Sequence, residues 1–438
     1  MSKTDDLLAL AKQHLVRYHP VEKERPIIAR AKGSKVWDVE GVEYIDFVSG
    51  QLSATLGHNH PRVCEAIIKA TEKQIHSSAW LLHEDAILLA EAYAKVLPES
   101  LKKTIFKNSG TESNEAAISM AKMVTGGFEV LSPDKSFFGN TAASRSYTSA
   151  FGRKGYGPGM PGAYSMVMPY CYRCPLKKTF PTCELACLDV SFEIFDSQSV
   201  GAGAAVIIEP VMGAGGVVEV PPGYLASLRR KAQERGMFVI YDEAQTALGR
   251  VGSMFAFEQS GVPPDFLSLS KTAGGGAPLS VMATSADIEE KAFKRGYTGG
   301  STHANDPLIC AAGLAVLQVV VDEDLPRQAL EKGEFLRTQF QHWAEKYEMI
   351  GNIRGRGLLM GIEFVRNRDT REPAEKEGAQ FSQLCMDKGL IVSIIRMPGM
   401  NSVCRMAPPL TISSDELGRA LEIMESALKQ IDLGRSTA

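Results

Sequence analysis

Short apolar segments alternate with helical segments between about residue 60 and residue 315, and this alternation restricts the fold more than any other feature. The predicted strands are 104–107, 129–131, 204–209, 237–241, 266–270 and 280–284. Helical patterns, such as the one over 223–234, separate most of them. Such alternation is typical of a mostly parallel sheet that carries helices on both faces. We therefore predict an α/β fold for this region.

The two ends of the chain show different patterns. Apolar residues at helical spacing predict an amphipathic helix over 7–18, and alternation around Glu40-Gly41 predicts a β-hairpin over 36–47. The C-terminal region combines short strands with helices, which predicts a smaller α/β layer; the strands are 357–364, 390–395 and 402–405, and the helices are 374–388 and 414–431. A chain of 438 residues is too long for one compact core. We expect an N-terminal segment (1–58) that joins the small domain, a large domain (59–318) and a C-terminal small domain (319–438).

Composition and charge exclude several classes of partner. The formal net charge of -3 argues against nucleic-acid binding. No run of about 18 apolar residues is present, so we expect no membrane span. The polar N-terminus is not followed by the apolar stretch of a secretory signal. We therefore expect a cytoplasmic protein whose eight cysteines are reduced.

Two neighbouring predicted strands end in residues that suit one kind of chemistry. Lys271 ends the apolar run 265–271 and precedes a glycine-rich stretch, and Asp242 ends the apolar run 237–242. An amine in this position can hold an aldehyde cofactor as a Schiff base, while an aspartate keeps the cofactor's pyridine nitrogen protonated. Taken singly, the lysine fits a surface turn and the aspartate a structural turn. Together they make pyridoxal phosphate the leading hypothesis.

A third segment supports this hypothesis by offering a site for the phosphate. Ser109, Gly110 and Thr111 follow a predicted strand and open a helix, so their N–H groups and hydroxyls would face an anion. The alternative is a plain capping box between Ser109 and Glu112. Gln245, three residues after Asp242, would donate to the phenolic oxygen of the ring.

These motifs resemble the class III aminotransferases, a fold-type I family of pyridoxal phosphate enzymes, over roughly residues 20–430. The motifs that carry the resemblance are residues 109–114, Glu209-Pro210, residues 242–245 with Gly249-Arg250, and Ser270-Lys271. The resemblance implies that Lys271 carries the cofactor and moves the substrate's α-proton. It implies that the phosphate contacts Ser109, Gly110 and Thr111, and that the pyridine nitrogen contacts Asp242. It also implies that the phenolic oxygen contacts Gln245 and that Phe137 stacks on the ring.

The same resemblance implies an assembly of subunits. Thr302 is similar to the residue that reaches the phosphate from the other subunit, which implies a homodimer with active sites at its interface. Pairing of dimers into tetramers stays open.

Within the family, the sequence is most similar to the 2,2-dialkylglycine decarboxylases. That likeness implies that Gln51 contacts the carboxylate that is expelled, while Arg405 holds the carboxylate in the transamination orientation. Ala214 stands near the substrate, where those enzymes have a serine. Thr302 and Asp306 match two ligand positions of an alkali metal ion in that group.

Three enzymatic hypotheses follow. The first is decarboxylation-dependent transamination with a keto acid such as pyruvate as amino acceptor, and it rests on Gln51 and Arg405. The second is ordinary transamination of an amine or ω-amino acid, which the apolar side chains of Phe137 and Ala214 would suit. The third is an amino acid racemase or aminomutase. A non-enzymatic binding protein is disfavoured, because it would not need Lys271 beside an aspartate and a phosphate turn.

Four cysteines lie within seventeen residues, as the pairs Cys171-x-x-Cys174 and Cys183-x-x-x-Cys187. Such a group can bind zinc or an iron–sulfur cluster. The second spacing differs from the usual zinc-ribbon pair, so free thiols are the favoured interpretation.

Overall fold

The computed structural model of the protein describes residues 2–17, 25–150, 152, 154–395, 397 and 399–436. Within these ranges the α-helical segments are α1 (Lys3–His14), α2 (Ser49–Leu52), α3 (Pro61–Lys73), α4 (Glu84–Val96), α5 (Gly110–Thr125), α6 (Ala142–Tyr147), α7 (Ala186–Gln198), α8 (Tyr224–Gln233), α9 (Ala286–Lys294), α10 (Pro307–Asp322), α11 (Leu325–Lys346), α12 (Glu375–Asp387) and α13 (Ser414–Ser436). Single 3₁₀ turns are found at Glu99–Leu101, Cys171–Arg173, Ala256–Ser260 and Lys271–Gly274.

The strands within the same ranges form a large central sheet and smaller sheets near the two ends of the chain. They are β1 (Ile28–Lys32), β2 (Lys35–Asp38), β3 (Glu43–Asp46), β4 (Lys103–Lys107), β5 (Glu129–Pro133), β6 (Ala163–Met166), β7 (Gly203–Ile208), β8 (Val211–Met212), β9 (Val218–Glu219), β10 (Phe238–Asp242), β11 (Phe266–Leu269), β12 (Ser280–Thr284), β13 (Ile350–Arg356), β14 (Leu359–Asn367), β15 (Glu372–Pro373), β16 (Leu390–Ile391), β17 (Ser393–Ile394) and β18 (Val403–Met406).

The central sheet has seven strands in the order β4-β12-β11-β10-β7-β5-β6. Its pairings are parallel from β11 to β6, and β12 runs antiparallel to both of its neighbours. The side chains of β7, β10 and β11 are almost all buried, which explains their continuous apolar sequences, since helices cover both faces. The predicted α/β fold with a mostly parallel sheet is therefore confirmed. The edge strand β6 was not predicted, because it has only four residues and three are partly or fully exposed.

The register of two central strands brings the predicted chemical groups to one edge of the sheet. Strands β10 and β11 are parallel neighbours, and Asp242 lies opposite Ser268. Lys271 begins the 3₁₀ turn just after β11. Because parallel strands present their carboxyl ends at the same edge, the carboxylate and the amine lie on the same side of the sheet.

The N-terminal sheet recruits a strand from the C-terminal region. Its strand order is β1-β2-β3-β16, and the predicted hairpin corresponds to β2 and β3. Strand β16 pairs in parallel with β3, with Leu390 opposite Ile45. This pairing agrees with an N-terminal segment that joins a C-terminal domain, although the domain boundaries stay a prediction.

Two elements differ from the sequence-based expectation. Helix α1 begins at Lys3, because Ser2 and Asp5 form a capping box, and none of its residues is buried. It ends at His14, and residue 18 of the predicted helix lies outside the described residues. The predicted strand 357–364 begins in a turn, since Gly357 has a φ of 52° and joins β13 to β14. None of the helices in the described ranges is long and apolar enough to span a membrane.

Candidate active site

A cavity of about 390 Å³ opens at the carboxyl edge of the central sheet. Its wall contains most of the residues that the sequence assigned to the cofactor, namely Ser109, Gly110, Thr111, Phe137, Asp242, Gln245 and Lys271. Residues from four separate segments thus converge, which the sequence pattern alone cannot demonstrate.

Asp242 is held rigidly at the floor of this cavity. Its Oδ1 accepts a hydrogen bond from the N–H of Ala244 at 2.8 Å, and its Oδ2 accepts one from Asn114 Nδ2 at 2.6 Å. Asn114 also donates to the carbonyl of Phe138 at 3.0 Å, which orients its amide. Burial raises the pKa of Asp242, while the Asn114 hydrogen bond and the charge of Lys271 act in the opposite direction.

The buried surroundings of Lys271 favour the unprotonated form of its amine. Burial lowers its pKa, although the carboxylates of Asp242 and Glu209 oppose this effect. Its φ of 37° places a non-glycine residue in the left-handed region, which costs about 1–3 kcal/mol. Strain of this size persists where the surroundings impose it, and it marks functional positions.

Glu209 and Arg405 form a second charged layer next to the lysine. Glu209 accepts hydrogen bonds from the N–H groups of Phe137 (3.2 Å) and Gly213 (2.9 Å). Burial, followed by the charge of Asp242, raises the pKa of Glu209. Arg405 Nη1 donates to Gln245 Oε1 at 3.1 Å, whereas its buried Nε has no hydrogen-bond partner within the described part of the chain. Burial lowers the pKa of Arg405 to about 10, and the guanidinium stays charged at neutral pH.

The N-terminus of α5 provides the expected anion position. Ser109 caps the helix, since its Oγ accepts from the N–H of Glu112 at 3.3 Å, and Glu112 Oε2 in turn accepts from the N–H of Asn108 at 3.1 Å. A helix cap at Ser109 is therefore present, although Glu112 bonds Asn108 and not the Ser109 N–H that a capping box uses. It coexists with anion binding, because the first N–H groups of a helix, here those of Gly110 and Thr111, have no intrahelical acceptor.

Gly110 allows this helix to approach the lysine turn. A Cβ on Gly110 would lie only 2.7 Å from the Ser270 hydroxyl oxygen. Any larger residue would therefore push α5 away from the 3₁₀ turn at Lys271–Gly274.

The other predicted site residues lie outside the cavity wall, and their roles stay predictions. Gln51 is exposed within the left-handed turn α2, and Ala214 is buried in the connection between β8 and β9. Thr302 is exposed, as a residue that serves a partner subunit would be in a single chain. Arg405 lies next to Gln245, a residue of the cavity wall to whose Oε1 it donates a hydrogen bond.

Asp306, the other predicted alkali-ion ligand, has hydrogen-bond partners for both of its oxygens. Oδ1 accepts from the N–H of Ser77 at 3.0 Å and lies 2.8 Å from His76 Nδ1, and Oδ2 lies 2.5 Å from His303 Nδ1. Asp306 is buried, whereas Thr302 is exposed. The alkali-ion site stays a prediction.

Two residues of the cavity wall, Asn114 and Glu209, had no role predicted from the sequence. Asn114 orients Asp242, and Glu209 adds a buried carboxylate near the lysine. Glu209 had a detectable sequence signature, an acid directly after a buried strand, whereas Asn114 stands among the polar residues that begin α5 and gave no such signal. Their partners are more than 30 residues away in sequence, so only the tertiary structure could assign those roles.

The cavity offers a suitable residue for each functional group of pyridoxal phosphate. The start of α5 suits the phosphate, and Asp242 has a fixed carboxylate for the pyridinium nitrogen. Phe137 lines the cavity where an aromatic face can cover the ring, and Lys271 supplies the amine. Since Gln245 Oε1 is held by Arg405, its Nε2 is the end that can donate to the ring.

Comparison with known proteins agrees with this geometry. Residues 18–428 match the family Aminotransferase class-III. The chain is 40% identical, over 419 residues, to an uncharacterized aminotransferase of Schizosaccharomyces pombe. The matched region covers 95% of this chain and 93% of that protein. It is 33% identical, over 414 residues, to the leucine/methionine racemase of Thermococcus litoralis, with 94% and 92% covered.

Solved structures show the same relationship at the level of the fold. An amine transaminase from an uncultivated Pseudomonas species, crystallised with pyridoxal phosphate bound, superposes with a TM-score of 0.87. It is 28% identical and covers 94% of this chain and 98% of its own. The protein therefore belongs to the class III aminotransferases, a family of fold-type I enzymes that use pyridoxal phosphate.

Proposed function

We propose that the protein transfers the amino group of an α-amino acid to a keto acid, and that Arg405 binds the α-carboxylate of the substrate. The observation that carries this proposal is the buried guanidinium of Arg405, whose Nε has no partner among the described residues. A buried cation with an unsatisfied donor is costly unless a ligand completes its hydrogen bonds. A carboxylate matches the fork of a guanidinium and would do so in a bidentate manner.

Each residue of the site then has a defined task. Bound pyridoxal phosphate supplies a ring that withdraws electrons from the substrate's α-carbon. Asp242 keeps the ring nitrogen protonated, and the start of α5 holds the phosphate. Lys271 Nζ takes the proton from the substrate's α-carbon, because its lowered pKa favours the neutral amine, and then delivers that proton to the cofactor.

Replacing Arg405 with Met tests the proposal, since Met keeps much of the side-chain volume and removes the charge. We expect kcat/KM for an α-amino acid to fall about 100-fold, the effect of one charge-assisted bidentate contact. The half-reaction with an amine that has no carboxylate, followed by the absorbance of the bound cofactor without added keto acid, should change little. Arg327, an exposed residue paired with Asp324 and Glu331, provides the matched control as Arg327→Met. Equal losses for amino acid and amine would contradict the role of Arg405.

A second candidate function is transamination that begins with loss of CO2, and the turn around Gln51 favours it. Ser49, Gly50, Gln51 and Leu52 all have φ between 49° and 68°, and three of them are not glycine. Such strain concentrates at functional sites. The turn also leads into Ser53, which lines the cavity, so Gln51 lies two residues from the cavity wall.

The substrate 2-aminoisobutyrate, which has no α-proton, separates the two reactions. If the decarboxylating route operates, CO2 and acetone should appear together, and Gln51→Ala should slow CO2 release more than half-transamination of alanine. Turnover of alanine without CO2 from 2-aminoisobutyrate would reject this route. Loss of optical purity of alanine without added keto acid would point to racemisation, the activity named for one of the relatives.

We further propose that the working enzyme is a homodimer. Trp80, Leu81 and Leu82 are consecutive and between 67% and 93% exposed in the single chain. Large apolar groups in one patch usually mark a protein contact. Light scattering should give twice the mass of the chain; a monomer with full activity would contradict a site shared between subunits.

A further inference from the structure

The turn α2 winds in the left-handed sense, although most of its residues are not glycine. The φ values of Ser49, Gln51 and Leu52 are 49°, 68° and 68°. Backbone of this kind is unfavourable for residues that carry a Cβ, and it persists only where the surroundings impose it. The segments around the turn must therefore supply contacts that hold it in this form.

Asp46, the last residue of β3, binds the turn through both oxygens of its buried carboxylate. Oδ1 accepts from the N–H of Val48 at 2.9 Å, and Oδ2 accepts from the N–H of Gly50 at 2.7 Å. His58 Nε2 lies 2.8 Å from the same Oδ2 and donates to it, because a carboxylate can only accept. Three donors thus converge on one carboxylate, and two of them are backbone N–H groups at the start of the turn.

The imidazole of His58 is itself fixed in place. The N–H of His58 donates to the Gly33 carbonyl at 2.7 Å, and the His58 carbonyl accepts from the N–H of Gly33 at 2.9 Å. A Cβ on Gly50 would lie 3.2 Å from His58 Cε1, so the ring packs directly on the turn. The ring therefore covers the turn and bonds the carboxylate that holds it.

One end of the turn is bonded to the strand that carries Arg405. The hydroxyl of Ser49 donates to the carbonyl of Ala407 at 2.6 Å, and Ala407 lies two residues after Arg405. The N–H of Ala407 donates to the carbonyl of Phe47 at 2.8 Å. The chain just after β18 is thus held from both sides of one residue by the segment 47–49.

The same turn also contacts the other side of the active site. It packs against the 3₁₀ turn Lys271–Gly274 and leads into Ser53, which lines the cavity. The side chain of Leu52 is buried in a small apolar cluster with Val217 and Ala407. A change in the form of the turn would therefore be felt at the lysine turn and at the end of β18.

We propose that Asp46 and His58 are positioning residues for the substrate carboxylate: they hold turn α2 in its left-handed form, and the turn fixes the strand that carries Arg405. This inference rests on the role proposed above for Arg405. Without its bonds to Asp46 the turn can relax, which withdraws the Ser49 hydroxyl from the Ala407 carbonyl. A bidentate contact needs a guanidinium in a fixed place, and a displacement of about 1 Å can cost about 100-fold in rate.

Asp46→Asn tests the proposal, because an amide has one acceptor end and cannot accept from both Val48 and Gly50. We follow the half-reaction of the holoenzyme by the absorbance of the bound cofactor, without added keto acid. With alanine, the second-order rate constant should fall about 10- to 100-fold. With isopropylamine, which has no carboxylate, it should fall less than about threefold. Asp322→Asn is the matched control, since this exposed aspartate pairs only with Arg62 among the described residues.

Variants of His58 separate positioning from loss of charge. Burial lowers the pKa of the Arg250 guanidinium, and the charge of Asp46 opposes this effect, so Asp46→Asn also removes a charge near Arg250. His58→Ala leaves that charge in place and should still cost about tenfold with alanine. His58→Gln should restore most of the rate, because its amide can donate to Asp46. His342→Ala, on the exposed face of α11, is the control.

Equal losses with alanine and isopropylamine in Asp46→Asn would overturn the inference, and so would a His58→Gln variant as slow as His58→Ala. If Asp46→Asn does not fold, the His58 variants and Ser49→Ala carry the same comparison of the two substrates. Ser49→Ala removes only the hydroxyl that reaches Ala407, and it should lower the rate with alanine selectively.

The double variant Arg405→Met/Asp46→Asn distinguishes this inference from the proposed function. If Asp46 acts through the guanidinium, the double variant should discriminate between the two substrates no less and no more than Arg405→Met alone. Additive losses would contradict the positioning role. If Arg405→Met affects alanine selectively and Asp46→Asn does not, only the positioning role fails. If neither variant affects alanine selectively, the carboxylate-binding role of Arg405 fails as well.

Discussion

Replacing Lys271 with alanine is expected to lower kcat about ten-thousandfold, the upper range for loss of a positioned general base. The reason is geometric as well as chemical. Lys271 lines the cavity, its pKa is lowered by burial, and its strained φ of 37° holds it just beyond the end of β11. A residual activity near that of wild type would show that another group moves the proton.

Three measurements separate this effect from misfolding. Circular dichroism and Tm should match the wild type, because removal of a side chain that faces a cavity leaves little unfilled core. Added methylamine should restore part of the lost rate, since a small amine can occupy the vacated space and accept the proton. Lys291→Ala is the matched control: this lysine is exposed on α9 and pairs with Asp287. Reduction of the wild type with borohydride should label Lys271.

The second large effect is expected for Asp242→Asn, which preserves the shape of the side chain. Loss of a preorganised charge in an active site costs about 100- to 1000-fold in kcat, so we expect a fall in this range. The amide also disturbs local bonding. Asp242 accepts from both Ala244 and Asn114, whereas an amide has one acceptor and one donor end.

A graded series checks that the charge, and not merely the fold, is responsible. Asn114→Ala removes the hydrogen bond to Asp242 Oδ2 but keeps the carboxylate, so it should cost only about tenfold in kcat. Asp287→Asn on the exposed face of α9 should have no effect. The absorbance band of the bound cofactor should shift in Asp242→Asn, because the ring nitrogen loses its proton. An unchanged band with lost activity would argue that Asp242 acts only through packing.

Part of this site could be predicted because its residues follow directly from local patterns. Asp242 ends an apolar strand, Lys271 follows another by two residues, and Ser109 opens a helix after a third. In a parallel α/β sheet those positions share one edge, so the fold class already implied that they meet. The α/β assignment itself rested on the period of alternation, which is a local property of the chain.

Other features depend on contacts between distant segments. The hydrogen bond from Asn114 to Asp242 joins residues 128 positions apart, and the contact between Arg405 and Gln245 joins residues 160 apart. The four-cysteine loop shows the same limit. Its spacing left free thiols and a metal site both open, and only the structure shows that both cysteine pairs line one small cavity.

The sequence by itself determined the α/β class, the strand-end positions of Lys271 and Asp242, and the helix cap at Ser109, since each follows from periodicity or from side-chain chemistry within a few residues. Only the tertiary structure decided the burial of Glu209 and Arg405 near the lysine, the exposure of Gln51, and the position of both cysteine pairs at one small cavity. The physical reason is that desolvation and unsatisfied hydrogen bonds depend on which distant segments pack together, and no local pattern records that packing.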